Sequence, residues 1–122
     1  MDREQTYNGW NNFETWLVAL WLDNDCSTYR AWREEALECW KTAAQSDRVL
    51  KWNWSRHEGA TFQLAELLEN AVREGSSIEE SGLYADLLNA ALSDVDWREI
   101  ASHYLADVTS EEAFKEGGGN TP

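Results

Sequence analysis

From Asn11 onward, apolar residues recur at helical spacing between short polar breaks. Phe13, Trp16, Leu17, Leu20 and Trp21 fall at i, i+3, i+4, i+7 and i+8, the period of one helix face. Val18, Ala19 and Leu22 carry apolar surface around the rest of the cylinder. This first helix is therefore expected at the centre of the fold and nearly fully buried. Asn11-Asn12-Phe13-Glu14 reads as a capping box, with the Asn11 side chain accepting from the third helical N–H while Glu14 reaches back. Asp23-Asn24-Asp25 breaks the pattern.

A second helix, capped by Ser27 or Thr28 and running to about Gln45, would align Tyr29, Trp32, Ala36, Trp40 and Ala43. Residues 46–56 alternate Leu50, Trp52 and Trp54 with Lys51 and Asn53 and read as an ordered loop. Ser55-Arg56-His57-Glu58 is another capping-box pattern. It opens a third helix to Glu74, with Leu64, Leu67, Leu68, Ala71 and Val72 inward and Gly75 as a left-handed C-terminal cap. The next start falls between Ser77 and Glu80, or after Gly82, with Leu83, Leu87, Leu88 and Ala91 as inner stripe. Asp96 opens a fifth helix with Trp97, Ile100, Ala101, Tyr104, Leu105 and Val108 in register. Thr109-Ser110-Glu111-Glu112 caps a short last helix that Gly117-Gly118-Gly119 ends. The expectation is an all-α, compact single-domain bundle of five to six helices around the Trp-rich N-terminal helix. Residues 1–116 form the domain and 117–122 a flexible Gly-rich tail.

Composition agrees with this architecture. A chain of 122 residues with 8 Trp holds one core, and its single Pro is the last residue, so long helices are unbroken. The longest apolar run, Trp16–Leu22, is far short of the roughly 18 residues that span a bilayer. The start lacks a secretory layout, so a cytoplasmic setting is expected, in the host if the source is viral. Cys26 and Cys39 make no disulfide framework, and with His57 and His103 they match no compact zinc motif. No metal and no cofactor are expected.

Charge changes the picture most. Ten basic against 23 acidic residues give a net charge of −13. Residues 62–122 carry thirteen of the acids and only Arg73, Arg98 and Lys115 against them. Free nucleic acid is repelled by such a field and a basic protein is attracted. The candidate partner-binding residues are Glu66, Glu69, Glu74, Glu79, Glu80, Asp86, Asp94 and Asp96. Carboxylates spread over helix surfaces can imitate duplex DNA, which carries one charge per about 1.7 Å of axis. Two plainer readings compete: an acidic surface that only maintains solubility, and adaptation to high salt, which the presence of only 3 Lys would suit.

Catalysis finds little support. No GxSxG, P-loop or HExxH pattern occurs, and His57 and His103 lie on different elements without an evident partner. Arg48 and the run Lys51-Trp52-Asn53-Trp54-Ser55-Arg56-His57 interleave basic and aromatic residues as single-strand binders do. This loop is the alternative site, for a small enzyme or a single-strand binder, although Trp52 and Trp54 could simply anchor it to the core.

Tyr7-Asn8-Gly9-Trp10-Asn11-Asn12-Phe13-Glu14-Thr15-Trp16 with Leu20-Trp21-Leu22-Asp23-Asn24, and later Val95-Asp96-Trp97-Arg98-Glu99-Ile100-Ala101, resemble segments of small uncharacterised proteins of bacteriophages, archaeal viruses and plasmids. The resemblance covers about a quarter of the chain and implies a mobile-element origin. Small accessory proteins of this kind often act against host defence, as anti-CRISPR or antirestriction proteins. Capping and core filling account for the same residues without a site, since each Trp buries about 150–250 Å2. The combined expectation is a non-catalytic acidic inhibitor that occupies the basic DNA- or RNA-binding surface of a CRISPR effector or restriction enzyme. The alternative partner-binding role is an acidic helical module without mimicry, and homo-oligomers stay open.

Overall fold

The computed structural model describes residues 6–76 and 81–120, the last ten as helical backbone only. Among the described residues six helical segments follow one another: α1 (Phe13–Asn24), α2 (Cys26–Ala43), the single turn α3 (Asp47–Leu50), α4 (Arg56–Glu74), α5 (Leu83–Ser93) and α6 (Trp97–Asn120). No strand occurs among the described residues. The chain is an all-α single domain.

The core lies where α2, α4 and α6 meet. Ala36, Cys39 and Ala43 of α2 face Ala60, Leu64 and Leu68 of α4 and Ile100, Ala101, Leu105 and Val108 of α6, all buried. Alanines at the crossings let backbones approach closely, and the Leu and Ile side chains fill the space between them. The α6 stripe is the one its spacing predicts, and Tyr104 and Trp97 complete it. Gly59 faces α3, where an added Cβ would stand 3.2 Å from Val49 Cγ2.

The first helix is not the centre. Only Thr15 and Ala19 of α1 are buried, and Trp21 is 69% exposed. Apolar residues around the whole cylinder give the helix no preferred inner face, and the two small side chains set which side lies against α2 and α6. Its cap also differs from expectation by one residue. Asn12, not Asn11, is the N-cap, accepting from the Thr15 amide at 2.9 Å.

Other boundaries follow their caps. The Asp25 carboxylate accepts from Ser27 and Thr28 amides, so α2 starts at Cys26, ahead of the expected Ser27 or Thr28 cap. Within the expected loop, Ser46 caps the α3 turn. The Ser55–Glu58 capping box forms as its pattern predicts. Gly75, expected in left-handed geometry, has φ −76° and is right-handed, with its N–H on the Ala71 carbonyl. The expected break at Thr109 is absent: Thr109 Oγ1 donates to the Leu105 carbonyl at 2.7 Å, and α6 continues to Asn120. The expected start at Ser77–Glu80 lies outside the described residues. Gly82, with φ 111°, precedes α5. The α5 inner face is Ala85, Leu88 and Leu92; Leu83 and Leu87 face outward.

Candidate partner-binding surface

The segments 7–16 and 95–101 come together in space. Asn8 (φ 49°) and Gly9 (φ 90°) form a tight reversal closed by paired Tyr7 and Trp10 backbone bonds of 2.7 and 2.8 Å. Asn-Gly favours this turn because both positions need positive φ. The turn presents Trp10, which stacks on His103 of α6 at 4.1 Å. Next in sequence, the Asn11 amide donates to Glu99 Oε1 at 2.9 Å, and its side chain donates to the Asp96 carboxylate. Asn12 Nδ2 reaches the Asp94 carbonyl at 2.7 Å. Thr15 Oγ1, fully buried, accepts from the Asp96 amide at 2.8 Å and donates to Asn12 Oδ1 at 2.6 Å. These bonds clasp the start of α1 to the start of α6.

The clasp sorts the candidate carboxylates. Asp96 also caps α6, accepting from the Glu99 amide at 3.1 Å, so its half-buried carboxylate is engaged by the fold's own donors. Asp94 is exposed at the end of α5, its N–H on the Ala91 carbonyl and its own carbonyl accepting from Asn12. Glu66 and Glu69 line one side of an open groove of about 350 Å3, opposite Asp96 and Arg98. Glu69 accepts from Arg73 Nε at 2.8 Å, and Arg73 reaches Asn89 of α5 at 3.3 Å, which ties α4 to α5. Glu74 and Asp86 are exposed on α4 and α5. Glu79 and Glu80 lie outside the described residues. The structure thus gathers Glu66, Glu69 and Asp96 in one groove. Glu74, Asp86 and Asp94 stand outside it on the α4 and α5 surfaces.

The sequence pattern missed the apolar part of this surface. Leu83, Tyr84 and Leu87 of α5 are 68%, 72% and 58% exposed. Exposed large apolar side chains close together are the informative departure from ordinary burial. A one-residue error in the stripe hid them, because Leu83 and Leu87 share the heptad with Leu88 and Ala91.

The basic loop is redistributed as well. Lys51 pairs with Asp47 at 3.7 Å, and Arg56 Nε donates to the Trp40 carbonyl at 2.9 Å while its guanidinium covers the Trp40 ring. Arg48 instead lies over Phe62, 4.2 Å from the ring centroid, with Trp52 and Trp54 at 5.8 and 5.7 Å. Arg98 of α6 approaches Phe62 at 5.5 Å. His57 meets Thr61 Oγ1 at 3.5 Å. Among the described residues no carboxylate is hydrogen-bonded to either histidine. No group of three or more His, Cys, Asp or Glu able to hold a metal occurs among them either.

Burial raises two titrating groups and hydrogen bonds lower a third. The Cys39 thiol is pushed up to about 11 by burial, then by Glu35 and Glu38. Tyr104 is raised by burial and by donating to Asp23 Oδ1 at 2.9 Å. Asp25 is lowered by the Ser27 hydroxyl and the Thr28 and Ser27 amides. Cys26 and Cys39 are free thiols.

The fold and this surface define a small all-α domain, clasped between α1 and α6, with an exposed acidic and apolar side on α4 and α5. The chain belongs to the family of unknown function DUF7249, whose family model matches residues 3–112. No curated protein and no solved structure matches it. No described helix is long and apolar enough to cross a membrane.

Proposed function

We propose that this protein is a non-catalytic binding protein whose α4–α5 side docks on a basic protein. The carrying observation is that Leu83, Tyr84 and Leu87 stand exposed on α5, a helix that also carries exposed Asp86 and ends at exposed Asp94, while Glu66 and Glu74 are exposed on α4. An aromatic and two leucines supply a desolvated centre, and a charged rim steers the encounter. The rim also selects the occupant. Two copies of a chain carrying −13 repel each other, so a partner rich in Lys and Arg fits better than a second copy.

Basic surfaces of that kind belong to proteins that handle nucleic acid. With the resemblance to mobile-element proteins, the reading is inhibition of a host CRISPR effector or restriction enzyme in the host cytoplasm. Here the carboxylates occupy part of the path of the phosphates. The test is DNA binding and cleavage by purified effector and restriction complexes in the presence of this protein. Inhibition is expected, and it should be lost in the Glu66→Lys/Glu74→Lys/Asp86→Lys variant with an unchanged circular dichroism spectrum. Inhibition retained by that variant would overturn the assignment of this surface. Absence of inhibition across the complexes would overturn the target class.

A further inference from the structure

The geometry points to a binding site for a single nucleotide in the groove between the N-terminal half of α4 and the start of α6. This groove is open, holds about 640 Å3, and runs between Trp54, His57, Thr61 and Phe62 on one side and Arg98 and Ser102 on the other. Its size lies within the range of small-ligand sites, about 300–1,000 Å3. It shares Phe62 and Arg98 with the acidic groove lined by Glu66 and Glu69, but no residue of α5 lines it, and the inference does not rest on the docking proposed for α5.

The lining offers what each part of a nucleotide needs. Trp54 meets Phe62 edge to face at 5.6 Å and lines the groove, giving a base a flat apolar partner. Trp52, 60% exposed, shares Arg48 with Trp54, the guanidinium lying 5.8 and 5.7 Å from the two ring centroids. Stacking on such rings is tolerant of base identity because every base has a π face. The phosphate faces Arg98, with the Ser102 and Thr61 hydroxyls and the His57 ring as further hydrogen-bonding groups. Among the described residues, the guanidiniums of Arg48 and Arg98 have no hydrogen bond or ion pair, and both lie against the Phe62 ring. Guanidinium held on an aromatic face keeps its in-plane N–H donors directed outward for a phosphate. Glu58, the one carboxylate lining the groove, has an oxygen committed to the Ser55 amide at 3.0 Å. Its other oxygen can accept from a base amino group or a ribose hydroxyl.

The net charge decides how much of a nucleic acid can bind. A protein at −13 repels a long strand along its whole length. One nucleotide brings about 1.5–2 negative charges, which the two arginines offset locally. The ligand is therefore a mononucleotide rather than a strand.

The experiment is a titration of the full chain at low salt by calorimetry, with AMP, inorganic phosphate, adenosine and an unphosphorylated eight-residue thymidine oligonucleotide as separate probes. AMP is expected to bind in the groove, more tightly than any of the other three. Arg98→Ala and Trp54→Leu should each weaken AMP by at least about fivefold, the lower end of a stacking or phosphate contact. Circular dichroism checks that both variants remain folded, and Trp52→Ala serves as a second, exposed variant if Trp54→Leu does not fold. Phosphate binding as tightly as AMP, tighter binding of the oligonucleotide, no AMP binding, or Arg98→Ala binding AMP like the wild type would each overturn the assignment.

Discussion

Thr15→Val isolates the clasp between α1 and α6 with almost no change of shape. Valine keeps both branches at Cβ, so the buried volume and the helical rotamer are preserved. What disappears is Oγ1, which accepts the Asp96 amide at 2.8 Å and donates to Asn12 Oδ1 at 2.6 Å. Asn12 keeps the Thr15 amide at 2.9 Å, so the larger loss falls on the Asp96 N–H. Leaving such a donor without an acceptor costs about 1–3 kcal/mol. Asp96 is half-buried, and a loss of about 2 kcal/mol is expected. At this chain length that lowers Tm by roughly 6–10 °C. Thr15→Ser keeps the oxygen and loses one methyl, for about 1 kcal/mol. Urea unfolding followed by circular dichroism at constant m-value reads both. A Thr15→Val protein as stable as the wild type, or more stable than Thr15→Ser, would refute the clasp as a structural device.

Ser55→Ala removes half of the capping box and should cost about 1 kcal/mol by the same urea assay. Tyr104 and Cys39 both have raised folded values, so their contributions are complete below their unfolded values, about 10 and 8.5. These contributions are lost as pH rises, for Cys39 through about 11. The urea midpoint should therefore decline above about pH 8.5 and faster above about pH 10, with Tyr104→Phe flattening the second part. Asp25 has the opposite sign: its contribution is present above about pH 4 and lost as pH falls, and Asp25→Ala should remove that dependence. At pH 8 a thiol reagent should modify exposed Cys26 promptly and buried Cys39 only on unfolding.

Helices with one apolar stripe were legible. The register of α6 and the Ser55 start of α4 follow from spacing and capping alone, because each signal has a single local solution. The position of α1 was not, since apolar residues on all sides of a helix carry no direction. Thr15 and Ala19 decide it only once α2 and α6 are in place. The α5 stripe was missed by one residue, and with it the exposed Leu83, Tyr84 and Leu87. Among the acids, spacing puts Glu66 and Glu69 on one side of α4, but it does not show that Asp96 is spent on Asn11 and its own helix. The nucleotide groove needs Arg98 beside Phe62, residues 36 positions apart. No local pattern joins them.

Leu83→Asp/Leu87→Asp tests the α5 docking surface most directly. Both side chains are exposed, so the pair should change stability by about 1 kcal/mol at most. The measurement is association of the wild type and this variant with purified DNA-cleaving defence complexes by biolayer interferometry, between 50 and 300 mM salt. Tight wild-type association that weakens with salt and is at least about tenfold weaker in the variant is the predicted result. Equal association of the wild type and the double variant, or none by the wild type, would contradict it.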